Sequence, residues 1–227
     1  EYDVPFILID VPRGRKQEAV GYVLSQLKDV IVTIQEITGK PFKMDELSLR
    51  LSYERELINN LEKARLRAHD SYLPQHLYEH MNSLYVLHTL AGDPRIALGS
   101  RNVAESLKVI PENAKRILWL HIPPYYDNEL FELFSPNSEN LVVGNELMWD
   151  WIYPVDPDRP LESLAKKLVF NPLCGSVVDR GEFCLGLARD FNVDGVIHFS
   201  HWGCRQSSGG VPFLKRLFEG KKIPFLE

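Results

Sequence analysis

Short apolar runs alternating with helix-length segments dominate the second half of the chain, and that pattern leaves few folds open to it. Arg116-Ile-Leu-Trp-Leu-His-Ile122, Asn140-Leu-Val-Val-Gly144, Asp194-Gly-Val-Ile-His-Phe-Ser200 and Ile223-Pro-Phe-Leu226 each have the length of a strand. Between them, Asp127 to Phe134, Leu161 to Phe170, Val178 to Phe191 and Val211 to Phe218 read as helices. Runs this apolar are strands covered on both faces, and crossover helices join such strands in parallel. The expected fold is therefore α/β: an open, mostly parallel, flavodoxin- or Rossmann-like sheet with helices on both faces.

The first half has a different period. Val20, Leu24, Leu27, Ile31 and Ile34 recur at spacings of four, three, four and three, which puts them on one face of a helix from about Lys16 to Thr38, ended by Gly39 and Pro41. Asp45 is the expected N-cap of a second helix, which carries Leu47, Leu51, Ile58 and Leu61 and runs to about Ala68. A third spans about Gln75 to Leu90 and is broken by Gly92-Asp93-Pro94. Residues 13–112 thus read as a helical linker region ahead of a C-terminal α/β domain at 113–227, with Asp10 to Arg15 and Ala91 to Glu112 as candidate linkers. The opening run, Val4 to Val11, is nearly all apolar and is expected to be a parallel strand of an N-terminal domain lying outside these residues.

Bulk properties narrow the function. With 44% hydrophobic and 25% charged residues, the 227-residue chain can bury a real core. A net charge of -5 and the lack of Lys/Arg runs interleaved with aromatics argue against nucleic acid as a partner. No stretch approaches the roughly 18 to 20 apolar residues of a membrane span, so no membrane is expected. The N-terminal residues show no signal-peptide pattern, which makes the cytoplasm the expected location and removes support for a disulfide framework.

In an open parallel sheet, ligands bind outside the carboxyl ends of the strands. That rule selects the loops Pro123 to Asp127, Asn145 to Trp151 and His201 to Gly210. The third reads His201-Trp-Gly-Cys-Arg-Gln-Ser-Ser-Gly-Gly210. There Cys204 lies just past a strand, between Gly203 and Arg205 and upstream of a helix N-terminus, a setting that favours a thiolate. Gly203, Gly209 and Gly210 let backbone approach a bulky ligand, and successive amides there suit cluster sulfurs or an anion. Cys184, beside Phe183, Leu187 and Phe191, reads as a packed helix residue, whereas Cys174 is open to either reading. The spacing of the three cysteines matches no compact zinc or ferredoxin site.

His198 and His201 bracket the end of the third strand: His198 points inward as a core residue would, and His201 is placed for proton transfer. Cys204 is thus the candidate metal ligand, Gly203 and Arg205 its cofactor-side neighbours, and His201, Gln206 and Ser207 the candidate catalytic side chains. Tyr125, Tyr126 and Glu146 join them as substrate-side loop residues on strand-end position alone, with ordinary loop surface as the plain alternative. The chain has no Gly-x-Gly-x-x-Gly after a strand, no Walker loop and no Gly-x-Ser-x-Gly elbow.

Asp194-Gly-Val-Ile-His-Phe-Ser-His-Trp-Gly-Cys-Arg-Gln-Ser207 closely resembles the last cluster-cysteine motif of the 2-hydroxyacyl-CoA dehydratase and benzoyl-CoA reductase family, to which 2-hydroxyglutaryl-CoA dehydratase component D belongs. Pro5-Phe-Ile-Leu-Ile-Asp-Val-Pro12, Gly39-Lys-Pro-Phe-Lys-Met-Asp-Glu-Leu47 and Phe213-Leu-Lys-Arg-Leu-Phe-Glu-Gly-Lys-Lys-Ile-Pro224 extend the resemblance over nearly the whole chain. It implies two similar α/β domains joined by helices, with a 4Fe-4S cluster held between them by three cysteines. Cys204 matches the third of these, and the other two belong to an N-terminal domain outside these residues.

The resemblance also implies a chemistry. A separate ATP-dependent iron-sulfur activator protein injects one electron, the cluster passes it to an acyl-CoA thioester, and a ketyl radical expels a leaving group or is reduced further. An iron without a protein ligand would let the cluster act as Lewis acid and electron donor together. The implied role is a 2-hydroxyacyl-CoA dehydratase-like lyase, or a benzoyl-CoA reductase-like oxidoreductase, working with a homologous partner subunit. Alone, the chain is expected to hold little or no intact cluster and to be inactive. Two other readings stand beside this one: a non-catalytic electron-transfer or scaffold subunit, and a nucleotide binder that would require bound FMN or NAD.

Overall fold

The computed structural model describes residues 5–124, 126 and 128–227, the side chain of Asn128 excepted. Its first half holds α1 (Glu18–Thr38), α2 (Met44–Arg65), β1 (Ser71–Tyr72), α3 (Leu77–Leu90), α4 (Pro94–Ser100) and β2 (Lys108–Val109). Helix α1 ends where expected, because Gly39 takes φ 64° and its N–H bonds back to the Gln35 carbonyl at 2.9 Å. Glycine adopts that left-handed cap without a Cβ penalty. Helix α2 begins one residue before Asp45, with Lys43 as its N-cap, so Asp45 and Glu46 occupy the first turn, where carboxylates offset the helix dipole. The segment expected to be a linker after Ala91 instead folds: Asp93 caps α4 by accepting from the Arg95 amide at 2.8 Å, and β2 pairs antiparallel with β1.

Where it is described, the opening run joins neither of the two sheets formed by these residues. Residues 5–12 form no ladder, and Phe6 is 87% exposed. Pro5 and Pro12 lack amide hydrogens, and the side chain of Gln26 on α1 takes the backbone bonds of Asp10, at 2.7 and 2.9 Å.

The second half holds β3 (Lys115–Leu120), α5 (Asn128–Leu133), β4 (Asn140–Asn145), α6 (Glu146–Trp149), α7 (Pro160–Phe170), α8 (Val177–Asp190), β5 (Gly195–His198), α9 (Arg205–Gly209), α10 (Val211–Glu219) and β6 (Phe225–Leu226). The sheet runs in the order β4-β3-β5-β6 with every pair parallel. Period-two alternation divides it into two faces. Leu118, Leu120, Leu141, Val143 and Val196 pack on Cys184, Leu187 and Phe191 of α8 and on Leu214 and Phe218 of α10. Ile117, Trp119, Val142 and Ile197 face Leu77 of α3 and the region of Phe131 and Phe134 around α5. Helices therefore cover both faces of an open α/β sheet.

Close approach of α8 to α10 depends on Gly181, since a Cβ there would stand 2.6 Å from Leu217 Cδ2. The helices of the first half lie against the flank of this unit. Val20 and Val23 of α1 meet Ala165 and Val169 of α7, and Leu51, Leu57 and Ile58 of α2 pack with Trp151 and Val155. No helix among the described residues is long and apolar enough to cross a membrane.

Candidate functional site

From β3 the chain crosses to β4 on one side, and from β5 it crosses to β6 on the other, so the connections diverge between the carboxyl ends of β3 and β5. A crevice opens at such a switch point. His121 follows β3 there, and the loop carrying Cys204 follows β5.

The floor of this edge is a buried ion pair. Glu146, the first residue of α6, is 0% exposed, and Arg180 in α8 is nearly as enclosed. Arg180 Nε donates to Glu146 Oε1 at 2.5 Å and Nη2 to Oε2 at 2.7 Å, a planar fork on a carboxylate. Each partner is set by a cap. Asn145 accepts the Leu147 amide at 2.9 Å and starts α6, while Ser176 and Asp179 form a reciprocal capping box that starts α8 and turns Arg180 inward. Burial by itself raises the Glu146 carboxyl, but Arg180, the His121 amide and the Cys184 thiol together hold it below its ordinary value. Arg180 is likewise held above the usual guanidinium value: burial opposes its charge and Glu146 outweighs that.

This pair shapes the strand ends around it. The His121 amide donates to Glu146 Oε2 at 3.0 Å and its carbonyl accepts from Asn145 Nδ2 at 3.4 Å, while the residue sits at φ 68°. A non-glycine residue in that left-handed region costs energy unless its surroundings fix it. The His121 ring stacks on His198 with centroids 6.1 Å apart and lies 6.3 Å from His201. Burial pushes the His121 imidazole down.

His198 is a core residue, 1% exposed. Arg180 can only donate, so its Nη2, 3.4 Å from His198 Nε2, identifies that nitrogen as an acceptor. Nδ1 then carries the proton and donates to Ser200 Oγ at 3.2 Å, which donates to Glu227 Oε1 at 2.7 Å. Burial first, and the Arg180 charge second, pull His198 down to about 4, so it is neutral at physiological pH.

Above this floor a cavity of about 230 Å³ is lined by His121, Leu147, Arg180, Cys204, Gln206 and Ser207, among others. Cys204 occupies the N-cap position of α9 and is partly exposed. Ser207 is buried and shares its hydroxyl with His198 Nε2 at 3.1 Å, and Gln206 donates to the Leu173 carbonyl at 2.7 Å. His201 is exposed, its Nδ1 accepts the Gly203 amide at 3.2 Å, and Trp202 between them is 100% exposed. Arg205 is exposed.

Cys204, Gln206 and Ser207 therefore share one cavity, whereas His201, Gly203 and Arg205 are exposed residues of the same loop and its following helix that do not line it. Tyr125 lies outside the described residues, and Tyr126 is exposed on the loop after β3. Glu146 is neither a substrate-side loop residue nor loop surface, because the Arg180 fork encloses it completely. Arg180 and His121 are the residues that sequence reasoning missed. The inward stripe Arg180, Cys184, Leu187, Phe191 on α8 carries the signal for the first of them, since an arginine on a buried helix face requires an anionic partner.

The three thiols are free. Cys184 is buried and burial pushes it well above the usual thiol range; Cys174 is partly buried and is raised by the same cause. Among the described residues, no group of three or more His, Cys, Asp or Glu is gathered to hold a metal ion. These residues fit a single ligand position at Cys204 and do not fit a complete 4Fe-4S site.

The family model described as 2-hydroxyglutaryl-CoA dehydratase, D-component, matches residues 1–227. The chain is 24% identical over 239 residues to the (R)-phenyllactyl-CoA dehydratase beta subunit of Clostridium sporogenes, covering 98% of this chain and 62% of that protein. It is 27% identical over 240 residues to the (R)-2-hydroxyglutaryl-CoA dehydratase subunit alpha of Acidaminococcus fermentans, covering 96% of this chain and 48% of that subunit. It thus spans between about half and three-fifths of the length of these relatives.

Proposed function

The chain belongs to the 2-hydroxyglutaryl-CoA dehydratase D-component family, and from that premise we propose that it is part of an acyl-CoA dehydratase subunit whose Cys204 supplies one thiolate to a 4Fe-4S cluster. The observation that carries this reading is the position of Cys204, whose thiol lines a cavity at the topological switch point beside His121, Arg180 and Ser207. The remaining cluster ligands would come from outside these residues, in keeping with the single ligand position described above. The cluster would supply one-electron chemistry to the acyl-CoA thioester. A lyase of the 2-hydroxyacyl-CoA dehydratase kind is favoured by the names of both relatives, which are dehydratase subunits.

In this reading the chain's own residues form one wall of the reaction chamber. Arg180 and Glu146 fix the strand ends, neutral His198 accepts from Arg180 without adding a charge to that pair, and His201 moves a proton between the chamber and solvent. An ATP-dependent iron-sulfur activator protein and a homologous partner subunit complete the system, which is placed in the cytoplasm. The names of the relatives, an alpha and a beta subunit, support the second of these partners.

Anaerobic iron and acid-labile sulfide analysis of the assembled enzyme tests the proposal. About four irons per cluster are expected in the parent, with loss on Cys204→Ala. Full iron occupancy in that variant would remove the claim. Adding an acyl-CoA should perturb the cluster spectrum, and His201→Ala should slow turnover more than it lowers iron content. A cluster that cycles with the activator but ignores every thioester would mark an electron-transfer or scaffold subunit instead.

A further inference from the structure

A second cavity, of about 290 Å³, adjoins the one at Cys204 and shares Leu173, Arg180 and Gln206 with it. Its distinguishing members are Arg13, from the segment before α1, and Arg205, from the first turn of α9. Both are exposed, and neither has a hydrogen-bonding or ion-pair partner among the described residues. Among the described residues, no Asp or Glu lines the cavity.

Part of the remaining wall offers hydrogen-bond donors. Gly209 and Gly210 bring backbone close, and the α8 N-terminus contributes Ser176 and Val177. The capping box there uses the amides of Ser176 and Asp179, and helix geometry leaves those of Val177 and Val178 without an intrahelical partner. The Asp179 carboxylate is turned to Ser176 and lies 3.9 Å from Arg15, so it already has its own cation. Behind them stands Arg180, buried and fixed by Glu146. Its Nη1 gives one hydrogen bond, to the Ser207 carbonyl at 3.3 Å, and lies 3.8 Å from where a Cβ on Gly210 would be. A guanidinium nitrogen of this kind has a second N–H to offer.

Two unpaired guanidiniums, a buried third and the Val177 amide, around a space that no described carboxylate lines, match the charge of a phosphoryl group, which arginine binds through paired N–H donors. We infer that this second cavity is a phosphoryl subsite, reading the phosphate portion of a ligand whose reactive end occupies the cavity at Cys204. The identity of that ligand as an acyl-CoA thioester rests on the function proposed above, whereas the subsite itself rests on Arg13, Arg205 and Arg180.

Titration calorimetry of the full chain with inorganic diphosphate, coenzyme A and pantetheine, which lacks the phosphates, separates the two claims. Diphosphate and coenzyme A are expected to bind, pantetheine to bind much more weakly, and added salt to weaken only the first two. Arg13→Ala and Arg205→Ala should each lower affinity for both by about tenfold, and Arg205→Lys by less, because lysine keeps the charge but not the fork. Both arginines are exposed, so circular dichroism should show these variants folded. Unchanged binding in the double variant overturns the subsite, as does failure of diphosphate and coenzyme A alike to bind the folded parent. Diphosphate binding that the double variant loses, with coenzyme A no tighter than diphosphate, upholds the phosphoryl subsite and overturns acyl-CoA as its source.

Discussion

Two buried ion pairs hold the two halves of this molecule in different ways. At the carboxyl edge of the sheet, Glu146 and Arg180 are enclosed together, and the guanidinium also reaches Ser207 and His198. On the helical flank, Glu54 of α2 is also buried, but its partner Lys167 on α7 keeps part of its side chain in solvent and lies over the Trp151 ring at 5.0 Å. In the first pair the Glu146 carboxylate has no exposed surface, and the Arg180 guanidinium borders only the two cavities beside it. The second clasps two helices while its lysine can swing outward along its alkyl stem. A fully enclosed pair dictates the geometry of everything bonded to it, whereas a half-open pair only ties two elements together. The site is built on the first kind.

The largest effect should come from breaking the enclosed pair. Arg180→Met leaves the Glu146 carboxylate buried without a cation, and urea unfolding should show a loss of about 3–5 kcal/mol. Glu146 would then titrate upward, so part of the loss should be recovered in the double variant Arg180→Met with Glu146→Gln. A loss below about 1 kcal/mol for the single variant would mean that water reaches Glu146, and the contrast between the two pairs would fail.

Acidification sharpens the same contrast through the histidines. His198 at the edge and His80 in α3 are both held down to about 4 by burial, His80 with neither ring nitrogen hydrogen-bonded. Their folded values lie below the unfolded one, so between about pH 6.5 and 4 the unfolded chain binds more protons. Stability should therefore fall as pH drops through that window, by about 1.4 kcal/mol per pH unit for each histidine. His88 has the opposite sign. Its Nε2 stands 3.1 Å from buried Asp150, whose carboxylate raises it, so its contribution is present below about pH 6.5 and is lost as pH rises through the raised value. Urea unfolding across pH should show His198→Gln flattening the acid side and His88→Gln flattening the alkaline side. An acid slope unchanged in His198→Gln would show that His198 is already charged in the fold.

The half-open pair should yield less. Glu54→Gln removes the charge but keeps an amide oxygen, and Lys167 can extend into solvent, so about 1–2 kcal/mol is expected by urea unfolding. A loss equal to that of Arg180→Met would erase the difference between the two pairs.

The sheet was legible because parallel strands buried on both faces leave unmistakable apolar runs, and the position of the Cys204 loop at its carboxyl edge because that loop directly follows one of those runs. The short elements α6 and α9 were not legible, since four or five residues carry no helical period. Glu146 was found for the wrong reason: a carboxylate after a strand reads as loop surface until its cation is known, and Arg180 lies 34 residues away on another element. The run at Val4 to Val11 shows the limit of such a reading, because apolar residues declare a wish for burial but not a partner; among the described residues its one backbone anchor is the Gln26 side chain on Asp10. Arg13 is legible only in three dimensions, since its meaning depends on Arg205 standing across the same cavity.

The smallest expected effect tests whether the edge is rigid because of its charges or because of its whole network. The Ser207 hydroxyl stands 3.1 Å from His198 Nε2 and 3.4 Å from Arg180 Nη2, but His198 Nε2 also receives Arg180, and Arg180 retains both contacts to Glu146. Ser207→Ala removes one shared donor and strands no charge, so unfolding should cost about 1 kcal/mol. With one donor to Nε2 gone, the neutral form of His198 loses some support, and its titration followed by NMR should move upward while staying below 6.5. A loss near that of Arg180→Met would show that the hydroxyl, rather than the carboxylate, positions the guanidinium. Retention of most of the stability would place the organising role on the Glu146 fork.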